Sequence, residues 1–439
     1  MKRPTRAWRM ASALAATALV LTACGGETET PAGNENTDSA SPTEDESGGD
    51  TGGDSGAVPK GDGTLTFGSL LPQTGDLAFL GPPEFAGVDL AVEEINEAGG
   101  VLGKDVAEVD ADSGDGTPDI AGAEVDKLLN ANADVIIGAA ASGVSITVID
   151  KITGAGVVHF SPANTAAGFD TYDDNGLYFR TAPSDVLQGE ILANLAIEDG
   201  HDNIAIMGRQ DFYGEGLSER VQEVVEQKGA TVSEFVLYAA DAQNYTAEVA
   251  QVAASKPDAL VLVAFEETTK IIPQLIAKGI GPQDIQIYFV DGNLADYSEE
   301  NFDLSGVKGT VPGAAEPDPE FIKRVNQVNK PLDELTYAAE SYDATIISAL
   351  AAIQAGSDSG KAIGSEIVNV TKDGTECTTF ADCVKLLDQG EDIDYKGPSG
   401  PTDMTDTGSL VAGTYAIQEY QKGNTYEQVD SVSGVVPSG

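Results

Sequence analysis

The sequence of residues 134–165 is DVIIGAAASGVSITVIDKITGAGVVHFSPANT. It begins with an apolar run that stops at Gly138, a pattern typical of a buried strand. Ser142 and Ser145 then offer side chains that cap helices, ahead of apolar residues at helical spacing. A helix N-terminus is therefore predicted just beyond the carboxyl end of a strand. Free backbone N–H groups and the helix dipole favour an anion there, so a ligand carboxylate would suit this place.

The same stretch continues into a second predicted strand, residues 156–160, and a turn at residues 161–165. Because both strands would end at the same edge of a parallel sheet, the hydroxyl and backbone of Thr165 could reach the crevice beside Ser142. The alternative is that Ser142 is only a helix cap and Thr165 only a turn residue, since such residues far outnumber ligand contacts. This pattern alone leaves both interpretations open.

Strands and helices alternate along the chain beyond Lys60. Residues 64–71 predict a strand, and residues 82–98 predict a helix with one apolar face. The alternation continues through residues 106–109, 120–130, 203–207, 213–227, 231–238, 259–263, 268–278 and 285–290. This order predicts the α/β class, with parallel sheets covered by helices on both faces. About 380 residues are too many for one core, so we expect two doubly wound parallel-sheet lobes.

The amino terminus has the parts of a secretory signal peptide. Four basic residues precede the apolar run of residues 10–21, which has about half the length needed to span a bilayer. The sequence Leu-Thr-Ala-Cys at residues 21–24 resembles the lipobox of bacterial lipoproteins. This resemblance implies that residues 1–23 are removed and that Cys24 is lipidated. The alternative is an unmodified Cys24 in a soluble exported chain.

Residues 24–61 are expected to form a disordered acidic tether. Residues 25–59 contain nine Asp or Glu, no Lys or Arg, and only four apolar residues, too few to bury a core. A flexible coil of about 35 residues has an r.m.s. span of roughly 30 Å. Such a tether would hold a folded body clear of a membrane surface.

The charge balance excludes some partners. The chain has 24 basic and 72 acidic residues and a net charge of −48, which becomes about −52 without the four basic residues of the signal peptide. Nucleic acids and anionic membrane surfaces are bound by basic patches. We therefore expect no nucleic-acid partner.

The three cysteines consist of Cys24 near the amino terminus and the closely spaced pair Cys377 and Cys383. If Cys24 carries lipid, Cys377 and Cys383 remain as a pair in an oxidising compartment, and their spacing predicts a local disulfide. Metal binding is the alternative, but neither His159 nor His201 lies near this pair in the sequence. We expect no metal site.

Several ordered motifs resemble those of the substrate-binding proteins of branched-chain amino acid ABC transporters. They are GSLLPQTG at residues 68–75, AVEEINEAGGVLG at 91–103, GAAASGVS at 138–145, SPANT at 161–165, and FRTAPSD at 179–185 with Gln188-Gly189. The resemblance spans residues 62–435 and implies a type I periplasmic-binding fold, in which three crossovers join two lobes. The implied division is lobe I at residues 62–182 and 316–394, and lobe II at residues 183–315 and 395–435.

The same resemblance implies a set of ligand-binding residues. On lobe I, Ser142 resembles the family serine at a helix start, and Ala163 and Thr165 resemble the pair that completes a carboxylate cradle. On lobe II, Tyr213 resembles an aromatic that lines the cleft, although it could equally be an apolar staple at a helix start. Asp291 resembles the acidic residue that receives the ligand ammonium.

Two further aromatics, Phe265 and Tyr337, lie where the family has pocket walls, and Leu80 lies at a position that is often aromatic. Leucine-type binders usually have Glu where this chain has Asp291, which is one methylene shorter. The resemblance therefore does not fix the identity of the ligand.

The implied function is that of an extracytoplasmic receptor, lipid-anchored to the outer face of the bacterial cell membrane. It would capture a small amino acid or an amide-like solute between two closing lobes and deliver it to an ABC permease. We expect a monomer with no cofactor and no catalytic residues. One alternative is a ligand-sensing module that signals to a membrane partner, and another is an enzyme that hydrolyses a ligand held in the cleft.

Overall fold

The computed structural model describes residues 61–116, 119–313, 318–328, 332 and 334–437. The predicted signal peptide, the lipidation site Cys24 and nearly all of the predicted tether lie outside these residues. No helix in the described part of the chain is long and apolar enough to cross a membrane.

The amino-terminal part of the described chain builds a five-stranded sheet. Its elements are β1 (Thr66–Leu71), α1 (Gly81–Glu97), β2 (Ala107–Asp112), α2 (Ala121–Asn130), β3 (Val135–Gly138), α3 (Ser142–Gly154), β4 (Val158–Ser161), a 3₁₀ helix (Ala167–Thr171) and β5 (Tyr178–Arg180). The strand order is β2-β1-β3-β4-β5, and all strand pairs are parallel.

Side chains of this sheet alternate between two cores. Val135 and Ile137 pack in the core that contains α1, whereas Ile136 between them packs with α2 and α3. Helices therefore cover both faces of the sheet. This burial on both sides explains why β3 is a continuous apolar run in the sequence.

The next part of the chain builds most of a second sheet. Its elements are α4 (Asp185–Glu198), β6 (Asn203–Arg209), α5 (Gly214–Gln227), β7 (Thr231–Tyr238), α6 (Thr246–Ser255), β8 (Ala259–Val263), α7 (Thr268–Ala277), β9 (Gln286–Phe289), a 3₁₀ helix (Asp291–Asn293) and β10 (Lys308–Pro312). The strands β6 to β10 pair in parallel.

The chain then returns to the first sheet before it completes the second. The remaining elements are α8 (Pro319–Val328), α9 (Ala338–Ala355), α10 (Gly360–Ile367), β11 (Thr375–Cys377), α11 (Phe380–Asp388), β12 (Ile393–Tyr395), β13 (Ala412–Tyr420) and β14 (Tyr426–Val435). Helix α9 packs with α1 in the core of the first sheet. The hairpin β13–β14 pairs antiparallel with β10, which gives the second sheet seven strands in the order β14-β13-β10-β9-β8-β6-β7.

The predicted α/β class with two parallel-sheet bodies is confirmed, and the antiparallel hairpin is an addition that the sequence pattern did not predict. The lobe boundaries stay a prediction, because the crossover near residue 316 falls among residues that the structure does not describe. Met404 and Leu410, which precede β13, pack in the first-sheet core with α1.

The predicted disulfide between Cys377 and Cys383 is confirmed, with a sulfur–sulfur distance of 2.09 Å. It joins the end of β11 to the first turns of α11, and both cysteines are buried in the first-sheet core.

Candidate functional site

One cavity lies between segments that follow strands of the two sheets. It is lined by Leu77, Leu80, Ala140, Ala141, Ser142, Ala163, Thr165, Tyr213, Phe265, Asp291, Gly292 and Tyr337. The structure thus brings together all seven residues predicted as ligand contacts, and Leu80 with them. The free space amounts to about 270 Å³, of which about 20 Å³ can hold the centre of a water molecule. The cavity is small and partly open to solvent.

The first wall of the cavity includes the start of α3, which follows the carboxyl end of β3. Ala141 is the N-cap residue, and no side chain caps the helix, so the prediction of a capping serine is wrong. The Ser142 hydroxyl instead accepts a hydrogen bond from the backbone of Ala166 at 3.4 Å. The Ser145 hydroxyl accepts one from the backbone of Ala139 at 3.1 Å. Both serines tie the helix start to neighbouring turns, which excludes the interpretation of Ser142 as a simple cap.

The turn after β4 completes this wall. The Ser161 hydroxyl donates to the Ala139 carbonyl at 2.7 Å and accepts from the backbone of Asn164 at 2.9 Å. The Asn164 amide also donates to the Ala139 carbonyl, at 3.0 Å. Thr165 is only 1% exposed, and its hydroxyl makes no hydrogen bond of normal geometry. The hydroxyl lies beside the Asp185 carboxyl without a well-formed hydrogen bond, so Thr165 also offers a contact that a ligand can satisfy.

Arg180 supports the turn from behind. Its side chain is fully buried, and its guanidinium donates to the carbonyls of Asn164 at 3.1 Å and Ala166 at 3.0 Å. It also donates to the Ser409 hydroxyl at 3.1 Å and forms an ion pair with Asp170. Nothing in the sequence pattern assigns Arg180 a role, because its partners come from separate parts of the chain.

The opposite wall holds Asp291, which lies two residues beyond the end of β9 in the second sheet. The Asp291 carboxylate accepts hydrogen bonds from the Tyr213 hydroxyl at 2.7 Å, the Tyr337 hydroxyl at 2.7 Å and the Gln188 amide at 3.0 Å. Burial raises the pKa of Asp291, whereas these three donors lower it, and the net pKa lies above the ordinary value. Three donors stabilise the ionised form, so Asp291 offers a negative charge to the cavity.

The aromatic wall is held by a buried ion pair. The ring of Phe265 stacks on Tyr213 at 5.6 Å between centroids, and the Arg209 guanidinium lies 3.4 Å from the Phe265 centroid. Arg209 pairs with Glu267 at 3.1 Å and with Asp211 at 2.6 Å. Arg209 therefore fixes the position of Phe265, a function that the sequence pattern did not indicate.

Tyr213 is more than an apolar staple, since its hydroxyl reaches Asp291. Its neighbour Phe212 packs on Phe169, with 5.0 Å between ring centroids. Tyr337, the N-cap residue of α9, has a φ of 64°, a left-handed conformation that a bulky residue rarely adopts. Since α9 packs on the first sheet, the bond from Tyr337 to Asp291 joins the two walls of the cavity.

The side chains that line the cavity are suited to binding a small ligand. One wall supplies a helix N-terminus and hydroxyl groups, the other supplies a carboxylate, and apolar and aromatic side chains fill the space between them. Among the described residues, no group of three or more His, Cys, Asp or Glu side chains could hold a metal ion. The arrangement can hold an anionic group at one end and a cationic group at the other.

Comparisons with known proteins identify the family of this chain. The sequence profile of the periplasmic binding protein family matches residues 64–425. The chemotactic signal transduction system substrate-binding protein BasB of Halobacterium salinarum is 25% identical over 371 residues, which cover 81% of this chain and 86% of that protein. The leucine-, isoleucine-, valine-, threonine- and alanine-binding protein of Pseudomonas aeruginosa is 26% identical over 373 residues, which cover 83% of this chain and 92% of that protein.

A solved structure has the same fold. It is the branched-chain amino acid transporter substrate-binding protein LivJ of Streptococcus pneumoniae in complex with isoleucine, with a TM-score of 0.69 and 22% identity over 84% of this chain and 100% of that one. At this identity the likeness concerns the fold alone.

Proposed function

Because the chain belongs to the periplasmic binding protein family, of the type that includes leucine-, isoleucine- and valine-binding proteins, we propose that it captures a small amino acid and delivers it to an ABC permease. The family consists of solute-binding proteins that are not enzymes and that act outside the cytoplasm. The seven lining residues predicted above are the proposed ligand contacts, and the polypeptide itself needs no cofactor for this role.

The observation that carries the proposal is the division of charge-binding groups between the two walls. The start of α3 and the hydroxyl of Thr165 lie on one wall. Asp291, oriented by two tyrosine hydroxyls, lies on the other. An amino acid carries a carboxylate and an ammonium on one carbon atom. Each of its charges would find a partner, which a buried charge requires.

A thermal-shift screen of residues 61–439 tests this function. The compounds are the common amino acids, short amides, urea and 4-methylpentanoate, which is leucine without its amino group. A ligand that binds only the folded protein adds ~2.7 kcal/mol to its stability at 100 times Kd. We expect stabilisation by one or more α-amino acids and none by 4-methylpentanoate. Stabilisation by amides or urea alone would contradict the proposal, and chemical change of a bound ligand on long incubation would favour the enzyme alternative.

A sensory role is the second candidate, and the name of the Halobacterium relative favours it. The same closed, ligand-bound form would then dock on a signalling partner in place of a permease. Deletion of the gene separates the two roles. Loss of uptake of the radiolabelled ligand indicates transport, whereas unchanged uptake with a lost behavioural response indicates sensing.

We also propose that Cys24 anchors the protein to the membrane through lipid, with residues 24–61 as the tether. Replacement of Cys24 by serine is expected to move the protein from the membrane fraction to the soluble fraction, because a lipid chain supplies the attachment. Fractionation of expressing cells measures this. The control is the double variant Cys377→Ser, Cys383→Ser, which keeps the lipobox and should stay with the membrane. A Cys24→Ser protein that sediments like the wild type would refute the anchor.

A further inference from the structure

A second buried acid, Asp185, lies behind the cavity and has no part in the contacts proposed above. It is the first residue of α4, it is 0% exposed, and neither of its carboxyl oxygens makes a hydrogen bond of normal geometry. Its backbone N–H donates to the carbonyl of Thr165 at 2.7 Å. Asp185 is therefore placed directly behind a residue of the cavity lining.

The same helix links Asp185 to Asp291. Gln188, one turn further along α4, donates to the Asp291 carboxylate at 3.0 Å and to the Thr310 hydroxyl at 3.2 Å. Asp185 and Asp291 interact electrostatically, and both are buried. Two carboxyl groups thus share one water-poor region at the base of the cavity.

The two acids differ in their donors. Asp291 accepts three hydrogen bonds from side chains, whereas Asp185 has only the Thr165 hydroxyl beside it, without a hydrogen bond of normal geometry. An ionised carboxylate that is buried without donors is far more costly than one that is fully hydrogen-bonded. Asp291 is therefore the carboxylate of the pair, and Asp185 is the carboxylic acid. Burial raises the pKa of Asp185 well above its ordinary value, and the charge of Asp291 raises it further.

We propose that Asp185 holds a proton that the binding site releases to solvent when a cationic group of the ligand reaches Asp291. The ammonium would neutralise the charge of Asp291, which adds to the effect of burial in keeping Asp185 protonated. The O–H bond of the Asp185 carboxyl then breaks, its proton passes to water, and no other group changes its ionisation. Asp185 does not line the cavity, so it would influence the ligand only through its electrostatic interaction with Asp291.

Other groups around Asp185 do not replace this role. The Thr165 hydroxyl and Arg180 on β5 lower the pKa of Asp185, and Asp170 raises it, but burial and Asp291 outweigh them. Arg180 already donates to Asp170 and to three other acceptors, so it does not pair with Asp185. Tyr213 and Tyr415 face the acid with hydroxyls that are neutral at pH 7, because burial raises the pKa of each. The N-terminus of α4 favours ionisation, but this effect is smaller than the cost of burying an unbonded carboxylate.

The inference rests on the proposed function, which supplies a ligand with a cationic group. A neutral amide or a simple carboxylate brings no charge that could expel the proton. Affinity for a cationic ligand should therefore rise with pH, by at most about tenfold per pH unit, over the range in which the free protein keeps the proton and the complex does not.

The first test needs no ligand. The folded-state pKa of Asp185 lies above its unfolded value, so the stability due to the bound proton is present at low pH and is lost as the pH rises through the folded pKa. The asparagine of Asp185→Asn does not titrate, so the variant does not lose this stability as the pH rises. We expect the Tm of the variant to exceed that of the wild type by about 2 °C or more at pH 7 and the difference to shrink toward pH 4. Parallel Tm profiles over this pH range would overturn the proposal.

Glu84→Gln is the matched control. Glu84 on α1 is also 0% exposed and lacks hydrogen bonds at both carboxyl oxygens, and burial together with Glu340 raises its pKa. It does not line the cavity. Its replacement should change the pH profile of Tm in the same direction and leave ligand binding as it is.

The second test counts protons. Calorimetric titration with L-leucine at pH 7, in buffers of different ionisation enthalpy, measures the protons released per ligand bound. The wild type and Glu84→Gln should release up to one proton, and Asp185→Asn should release markedly fewer. Equal release by all three proteins would overturn the proposal. Failure of L-leucine and every other amino acid to bind would instead refute the proposed function, and the ligand-free Tm profiles would still decide whether Asp185 holds a proton.

Discussion

Replacement of Asp291 by alanine is expected to weaken amino-acid binding by about two to three orders of magnitude or more. A closed cavity buries the ligand ammonium, and a buried charge left without its partner costs roughly 3 to 5 kcal/mol. At about 1.4 kcal/mol per factor of ten, this gives the stated loss. The variant also leaves the hydroxyls of Tyr213 and Tyr337 without their shared acceptor, which adds to the cost.

Calorimetric titration of the wild type and the variant measures the loss, and Ser142→Ala is the comparison. Ser142→Ala removes one hydrogen bond to a charged group, worth ~1.5 to 3 kcal/mol, and leaves the backbone donors of α3 in place. Its effect should be the smaller of the two.

The amino group itself can be tested in the same titrations. The des-amino analogue of the ligand should lose affinity for the wild type but lose much less for Asp291→Ala. Equal losses in both proteins would show that Asp291 does not meet the ammonium.

The second large effect is expected from Arg180→Met. The guanidinium is fully buried and paired with Asp170, so its removal leaves a partly buried acid and two turn carbonyls without their donor. Breaking a buried ion pair costs about 3 to 5 kcal/mol, and we expect the free energy of unfolding to fall by about that amount. Denaturant unfolding followed by circular dichroism measures it.

Arg324→Met provides the control on an exposed pair. Arg324 pairs with Glu94, and their side chains are 37% and 25% exposed. Pairs in contact with solvent contribute at most about 1 kcal/mol, so this variant should lose less stability than Arg180→Met. Equal destabilisation by the two variants would show that Arg180 does not have the supporting role assigned to it.

Two residues of the cavity could be predicted from the pattern alone because they lie in short motifs at strand ends. β3 is an apolar run that ends in glycine, and the serine that follows marks the helix start. Parallel sheets bring such ends together, so Ser142 and Thr165 could be placed side by side before the structure was known. Only the resemblance to branched-chain amino acid binding proteins implied that Asp291 lies opposite them.

The supporting residues could not be predicted in this way. Asp185 stands at the first turn of a helix, where an acidic residue ordinarily faces water and interacts with the dipole, and only the structure shows that it is buried. Arg209 and Phe265 meet across separate strands. Serine is a common N-cap residue, but the Ser142 hydroxyl accepts a hydrogen bond from the backbone of Ala166 and does not cap α3.

The bond between Tyr337 and Asp291 also bears on how fast a ligand can exchange. Space for water centres in the cavity is about 20 Å³, enough for one or two water molecules, so an amino acid can enter only when the walls separate. Each separation breaks the 2.7 Å hydrogen bond that joins the walls. The association rate constant would then report the frequency of opening rather than diffusion, and the lifetime of the complex would be set by the same event.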